Sequence, residues 1–446
     1  MKKTIWRWAF LTLLLVLYTF CKFKEILSVN ALSVLAVVMA LYILTFPFEE
    51  KIYCLFMFIP FYLYVYIKGF AFYNVIVIFV FFEYILRMKK ISITSVIMVI
   101  IMLACELFWQ IYNHQSIFNY IIKWLLAVFV SINLMTNKEI KLDKCFASYV
   151  FVLGVALMGT FTIVQYGSFN VDGTLREKYA GGLGTLDQNT FSLYCLLGFI
   201  VGMNLILNKD ERIKTFVNKP VFFVSLVVLS VICAVGGALM VSKTYFLVLV
   251  FWAILLVITN LHKPQKAITY TLVLCVGLVL IFALPQTREL VNSVLRRFIE
   301  SSNISELTTG RFDILKKYGV ALIENPLNLF IGAGLFTYNL YFNIDMISVN
   351  TGQPLIAHNM TLEMICGYGI LGFCLLFFIY YRIFRKRTHV KHFTNRNRFI
   401  PLIIFVIFSQ SIAIYREDIT HFVLLLLLLV ATPRILRKED DIVCKN

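Results

Sequence analysis

Fourteen apolar runs succeed one another along this chain, near residues 5–21, 26–46, 52–67, 70–86, 91–111, 117–135, 145–166, 190–207, 221–241, 244–261, 267–284, 359–381, 399–414 and 419–433. A single long interval, 285–358, breaks the series. A helix needs about 20 apolar residues to cross a bilayer core. Runs 52–67, 70–86 and 419–433 fall short of that, so the series predicts about 12–14 transmembrane helices. Inside lipid every backbone N–H and C=O must find a partner within the chain, which leaves helices or a closed barrel. Barrel strands alternate polar and apolar at every second residue, whereas stretches such as 91–103 are apolar nearly throughout. The expected fold class is therefore an all-α polytopic membrane protein. Charged residues make up only 15% of the chain, against about 25% in soluble domains, and they concentrate between the runs.

Those charges give an orientation. With the N-terminus placed in the cytoplasm, the termini and short loops on that side carry 27 Lys and Arg, and the short loops on the far side carry 7. Lys and Arg collect on the cytoplasmic side of membrane proteins. The division puts both termini inside and the long interval outside. The expected organisation is transmembrane helices over 1–284 with a smaller external loop at 167–189, a large extracytoplasmic loop at 285–358, C-terminal spans over 359–433 and a cytoplasmic tail, 434–446. The N-terminal Met1-Lys2-Lys3 and the apolar run behind it resemble a signal peptide. Tyr18-Thr19-Phe20-Cys21 offers no small-x-small cleavage site, so the run is read as an uncleaved first span.

The same charges exclude several functions. The net charge of +17 is scattered over loops, with no basic stripe interleaved with aromatics, so nucleic acid is not an expected partner. The basic loop 382–398 suits anionic lipid. Ten cysteines form no CxxC pair, so neither disulfides nor zinc are expected. No Gly-Lys-Ser/Thr loop is present for ATP, and no Asp-x-Asp pair to hold a metal with a nucleotide sugar. No cofactor or metal is expected. Charges within the spans are few, Glu83, Glu106 and Lys123 among them, fewer than a transporter normally places at mid-depth.

A loop as long as 285–358 is usually functional rather than a connector. Over 288–299, Val291, Val294, Leu295 and Phe298 share one helical face and Arg296 and Arg297 lie off it, a pattern that suits a helix on the membrane surface. A second helix is expected from Thr309-Gly310-Arg311 to about Ile323. Phe312, Leu315, Gly319 and Leu322 recur at helical spacing, Thr309 is placed to cap it, and Asn325-Pro326 ends it. Gly332-Ala333-Gly334 allows a tight backbone turn. Residues 337–357 read as irregular and polar.

External chemistry must draw on few side chains. Of six histidines, His262, His389 and His392 fall on the cytoplasmic side. His114 and His421 lie near external span ends. His358 closes the loop and opens the next span, beside the loop's arginines; it is either a base or a hydrogen-bonded structural residue. Arg311 sits in a first helical turn, where backbone N–H groups favour anions and guanidinium can grip phosphate in a bidentate manner. The alternative is a surface arginine at an ordinary helix start. Arg176, Arg288, Arg296 and Arg297 are further anion ligands or, equally, lipid-headgroup contacts. Asn359 and Glu363, spaced i, i+4, face one side of the helix that follows. Glu363 can orient a hydroxyl, accept from an arginine or complete a buried polar cluster. Gly369 and Gly372 leave room for close helix packing.

These motifs together have a family likeness. Thr309-Gly310-Arg311, Asn325-Pro326-Leu327, Gly332-Ala333-Gly334, Ala357-His358-Asn359 with Leu362-Glu363, and Gly369-Ile370-Leu371-Gly372 resemble the O-antigen ligase / polysaccharide polymerase (Wzy-like) superfamily. Gly182–Asn189 and Ser242-Lys243 look like family features too, although Lys243 stands where an Arg is often seen. The specific motifs cover 308–372. The resemblance implies a GT-C-like, metal-independent glycosyltransferase of the bacterial cytoplasmic membrane, its active site facing outward. Its donor would be an undecaprenyl-diphosphate-linked oligosaccharide. It implies that Arg311 grips the diphosphate leaving group and His358 assists the acceptor hydroxyl. The product would be O-antigen, capsular polysaccharide or exopolysaccharide, with a flippase and a chain-length regulator as partners. A polymerase joins lipid-linked repeat units, while a ligase moves the finished glycan to lipid A core or another acceptor. The richness in Lys, Ile, Phe and Asn, a bias of AT-rich genomes that include many capsule formers, favours the polymerase. A flippase of lipid-linked sugars is the third reading.

Overall fold

The computed structural model describes residues 2–432 except 88–90, 116–117, 138, 167–187, 209–214, 216, 218, 241, 273–287, 289–290, 293–294, 297–298, 300–307, 309, 348–353, 389–395 and 413. The first part of the chain forms α1 (Lys2–Phe23), α2 (Val29–Leu44), α3 (Phe48–Met57), α4 (Phe72–Arg87), α5 (Ile93–Tyr112), α6 (Phe118–Thr136), α7 (Lys144–Tyr166), α8 (Gln188–Leu207), α9 (Pro220–Ala238) and α10 (Lys243–Thr259). Then come α11 (Arg311–Glu324), α12 (Pro326–Ile331), α13 (Tyr338–Phe342), α14 (Met360–Thr388), α15 (Ile400–Ser409) and α16 (Thr420–Ala431). Among the described residues seven helices are long and apolar enough to cross a membrane: α1, α5 to α9 and α14. Shorter apolar helices include α2, α10 and α16. The chain is an all-α polytopic membrane protein.

Helices α7, α8 and α9 pack on one another, α3 packs on α7, and α16 lies against α6 and α7. Outward faces are aliphatic, as lipid contact requires. On α5, Ile93, Ile97, Ile100 and Ile111 are exposed, and on α9, Val221, Val224, Val228 and Val231.

Three local features depart from the sequence expectation. Run 52–67 is not one helix. It stops at Met57, makes a 3-10 turn over Ile59–Phe61 and enters a hairpin of β1 (Tyr66–Ile67) and β2 (Phe70–Ala71). Pro60 has no N–H to continue a helical ladder. Lys68 (φ 46) and Gly69 (φ 82) both take the positive φ that a tight two-residue hairpin demands. Segment 337–357 holds regular structure: α13 opens it, and an isolated bridge joins Ile347 to Pro354. Asn325-Pro326 does end α11, but Pro326 also starts α12, where its fixed φ suits a first helical position.

A further departure builds the site. Helix α14 is broken at Gly369 (φ 68, ψ 179), which leaves carbonyls before the break without their usual partners four residues on. Lipid would not satisfy them. The loop after α12 does: Ala333 N–H donates to Cys366 O (2.8 Å) and Gly334 N–H to Gly367 O (2.9 Å). The two backbones touch so closely that a Cβ on Gly332 would overlap the Gly367 carbonyl, and one on Gly369 the Phe330 carbonyl. The two glycine motifs of the sequence are therefore the two halves of one backbone joint.

Candidate active site

The loop docked at that joint is fixed from a second direction. Glu106 of α5, fully buried, accepts Leu335 N–H at Oε1 (2.7 Å) and lies 3.5 Å from Phe336 N through Oε2. In the sequence Glu106 is one of very few charges inside an apolar run, and that rarity is the signal that could have marked it. Arg416 closes the third side. Its Nη2 donates to Leu335 O (3.2 Å), its Nε lies 3.7 Å from Glu363 Oε1, and its guanidinium stands over the rings of Phe336 and Tyr338 at 5.5 and 5.7 Å. Glu363 Oε2 accepts Tyr415 N–H (3.0 Å). Glu363 is thus fully buried, with Oε2 hydrogen-bonded and Oε1 within ion-pair range of Arg416 but accepting no hydrogen bond among the described residues. The sequence reading gave Arg416 no role, although Arg416-Glu417-Asp418 is a compact charge cluster between two apolar runs.

A small core lies beside this loop. Ile314, Tyr318, Leu322, Ala333, Tyr338, Ala357 and Cys366 are buried together with Trp109. Tyr318 donates its hydroxyl to Leu355 O (2.6 Å), and the Tyr338 hydroxyl accepts Ala357 N–H (2.9 Å). Burial pushes both phenols well above their ordinary range, so they stay protonated and serve as hydrogen-bonding groups. The two tyrosines pin residues 355–357 just ahead of His358. His358 is half-buried and takes a left-handed backbone, φ 47. Asn359 then caps α14: its Oδ1 accepts Leu362 N–H (2.9 Å) and its Nδ2 donates to Gln410 O (2.8 Å).

Arg311 begins α11, half-buried behind Gly310, which is left-handed at φ 76. Tyr318 lies seven residues on, about 10 Å along the helix, so α11 is anchored through Tyr318 to the core that includes Ala357, the residue before His358. Capping comes from Thr308, whose hydroxyl accepts Phe312 N–H (3.1 Å); the expected cap, Thr309, lies outside the described residues. The buried face of α11 is Ile314, Tyr318 and Leu322. Of the spacing expected to face the core, Phe312 and Leu315 are exposed. In a membrane protein an outward face need not be polar, so apolar periodicity alone does not find the core.

The remaining sequence candidates divide. Arg288 and Arg296 are exposed helical residues, and no described contact joins them to this cluster. Arg176 and Arg297 lie outside the described residues. His114 is exposed. His421 is fully buried, with Nδ1 2.9 Å from the Tyr380 hydroxyl and its ring against Trp124 and Tyr415. Among the described residues no group of three or more His, Cys, Asp or Glu could hold a metal ion.

Residues 228–377 match the family model Wzy_C, described as O-antigen ligase. The match, over about a third of the chain, supports the resemblance to the O-antigen ligase / Wzy-like superfamily. It contains Arg311, His358, Glu363 and both glycine motifs, while Glu106 and Arg416 lie outside it. Among curated proteins no match is found. The domain and the multi-pass membrane fold support a glycosyl-transfer function in polysaccharide synthesis.

Proposed function

We propose that this protein polymerises undecaprenyl-diphosphate-linked oligosaccharide repeat units on the outer face of the cytoplasmic membrane. The observation that carries this reading is the shared core of Tyr318 and Tyr338, which brings the start of α11 and the residue before α14 under one set of constraints. An anion-binding arginine and a histidine are thereby held by the same rigid element.

In the proposed reaction an acceptor sugar hydroxyl attacks the anomeric carbon of the donor. The new C–O bond forms as the bond from that carbon to the diphosphate oxygen breaks, and its electron pair leaves with the diphosphate. Arg311 stabilises the charge that grows on the leaving group. His358 takes the proton from the attacking hydroxyl. Held by the protein alone, the diphosphate needs no metal in this scheme. Arg416, Glu363 and Glu106 act one step back by fixing the 333–338 loop.

A strain deleted for this chain tests the reading. It should accumulate carrier lipid bearing single repeat units, restored to long polymer by the wild-type chain and not by His358→Ala. Long polymer left unattached on the carrier lipid would instead mean a ligase, and normal surface polymer would remove both.

A further inference from the structure

A second site lies on the other flank of α6. The Trp124 ring faces the candidate active site, against Phe336, Tyr368 and Tyr415. Its neighbour Lys123 turns toward α4. There it lines a cavity of about 380 Å³ between α4 and α6, with Asn74 and Asn119. The Lys123 ammonium is covered by the rings of Phe70 (5.1 Å) and Tyr120 (5.6 Å). Among the described residues it has no carboxylate at ion-pair distance. The acid that senses its charge, Asp418, accepts the Tyr62 hydroxyl instead (3.0 Å). Asn74 is 5% exposed, and neither its amide nor that of Asn119 has a hydrogen-bond partner among the described residues.

A cation at a bilayer edge normally finds an anion. The half-buried Lys123 meets the side chain of Asn74 and the exposed Asn119 at one cavity. One turn further along the same helices its walls become apolar: Val77 and Ile78 follow Asn74, and Leu126 follows Lys123. The groove is polar at one end and greasy below it, the profile of a lipid with a charged head.

We propose that this groove binds a lipid with an anionic phosphate head, the phosphate on Lys123, Asn74 and Asn119 and the chain along Val77, Ile78 and Leu126. The site is distinct from that of Arg311 and His358, because Lys123 and Trp124 leave α6 on different faces. Two lipids carry this chemistry: a polyprenyl phosphate and an anionic membrane phospholipid such as phosphatidylglycerol.

The test is native mass spectrometry of the purified full chain, titrated in turn with undecaprenyl phosphate, phosphatidylglycerol and phosphatidylcholine. Wild type should retain one of the two anionic lipids over phosphatidylcholine. Tighter retention of undecaprenyl phosphate names the polyprenyl source, and the reverse names the phospholipid. Lys123→Met should weaken retention about tenfold, the worth of one charge-assisted hydrogen bond. Leu126→Trp keeps the charge and fills the groove, and should weaken it as well. Equal retention of phosphatidylcholine, or unchanged retention in both variants, overturns the proposal. No transfer is measured, so failure here leaves the polymerase reading untouched, and failure of that reading leaves this one standing.

Discussion

The left-handed backbone of His358 makes a prediction about sign. At φ 47 any residue with a Cβ is strained by about 1–2 kcal/mol. Glycine escapes that strain but loses more chain entropy on folding, about 0.5–1 kcal/mol relative to alanine. The difference leaves His358→Gly more stable than His358→Ala by roughly 1 kcal/mol. Both variants lose the imidazole and every contact it makes, so those losses cancel in the comparison. At an ordinary helical or extended position the order would be reversed. Thermal unfolding of the two purified variants in one detergent reads the order directly. Both should also fail to make polymer, because the proposed base is gone from each. If alanine is as stable as glycine here, the left-handed conformation is not a strained feature of the folded chain. The claim that the surrounding tyrosines hold His358 in a costly geometry then fails.

Arg311→Lys should leave the amount of membrane-inserted protein near normal and reduce polymer formation by about tenfold or more, since lysine keeps the charge but loses the planar fork; full polymer length and yield would remove Arg311 from the diphosphate. Burial, with Glu417 beside it, pushes the Asp418 carboxyl from its ordinary 3.8 up to about 7. A raised carboxyl favours folding while protonated, and that contribution is lost as pH climbs from about 4 to 7. Wild type should therefore lose thermal stability over this interval relative to Asp418→Asn, and parallel pH curves would refute the shift. Ile347, 65% exposed, replaced by cysteine should gain reactivity over the parent chain toward a membrane-impermeant thiol reagent in intact cells, after any outer membrane is permeabilised. Labelling only after lysis would reverse the proposed orientation.

Much of this molecule is legible in its sequence because lipid imposes a simple rule. Where the backbone must satisfy itself, long apolar runs become helices, and α5 to α9 follow the hydropathy closely. The rule loses force where polar chain folds onto those helices. Pro60 sits inside an apolar run and still ends the helix, since hydropathy carries no record of a missing N–H. The motifs Gly332-Ala333-Gly334 and Gly369-Ile370-Leu371-Gly372 are visible, but their pairing is a contact between segments over thirty residues apart. Arg311, His358 and Asn359 stand out through local context, at helix starts. Glu106 is marked only by its rarity as a charge within an apolar run and its role is not, nor is that of Arg416, because their partners are backbone groups at residues 335 and 336, and spacing along the chain does not encode that contact. On α11 Tyr318 is buried against the rings of Tyr338 and Phe342 with its hydroxyl on Leu355 O, while Phe312 and Leu315 are exposed.

The central claim is glycosyl transfer from a lipid diphosphate by Arg311 and His358, and reconstitution tests it most directly. The purified chain in lipid vesicles, given lipid-linked repeat units and a metal chelator, should lengthen the glycan and release one polyprenyl diphosphate for each bond formed. His358→Ala and Arg311→Lys, folded to the same degree, should release none or little. Lengthening that persists in both variants, or vesicles that only move intact lipid-linked sugar from one leaflet to the other, would contradict the account.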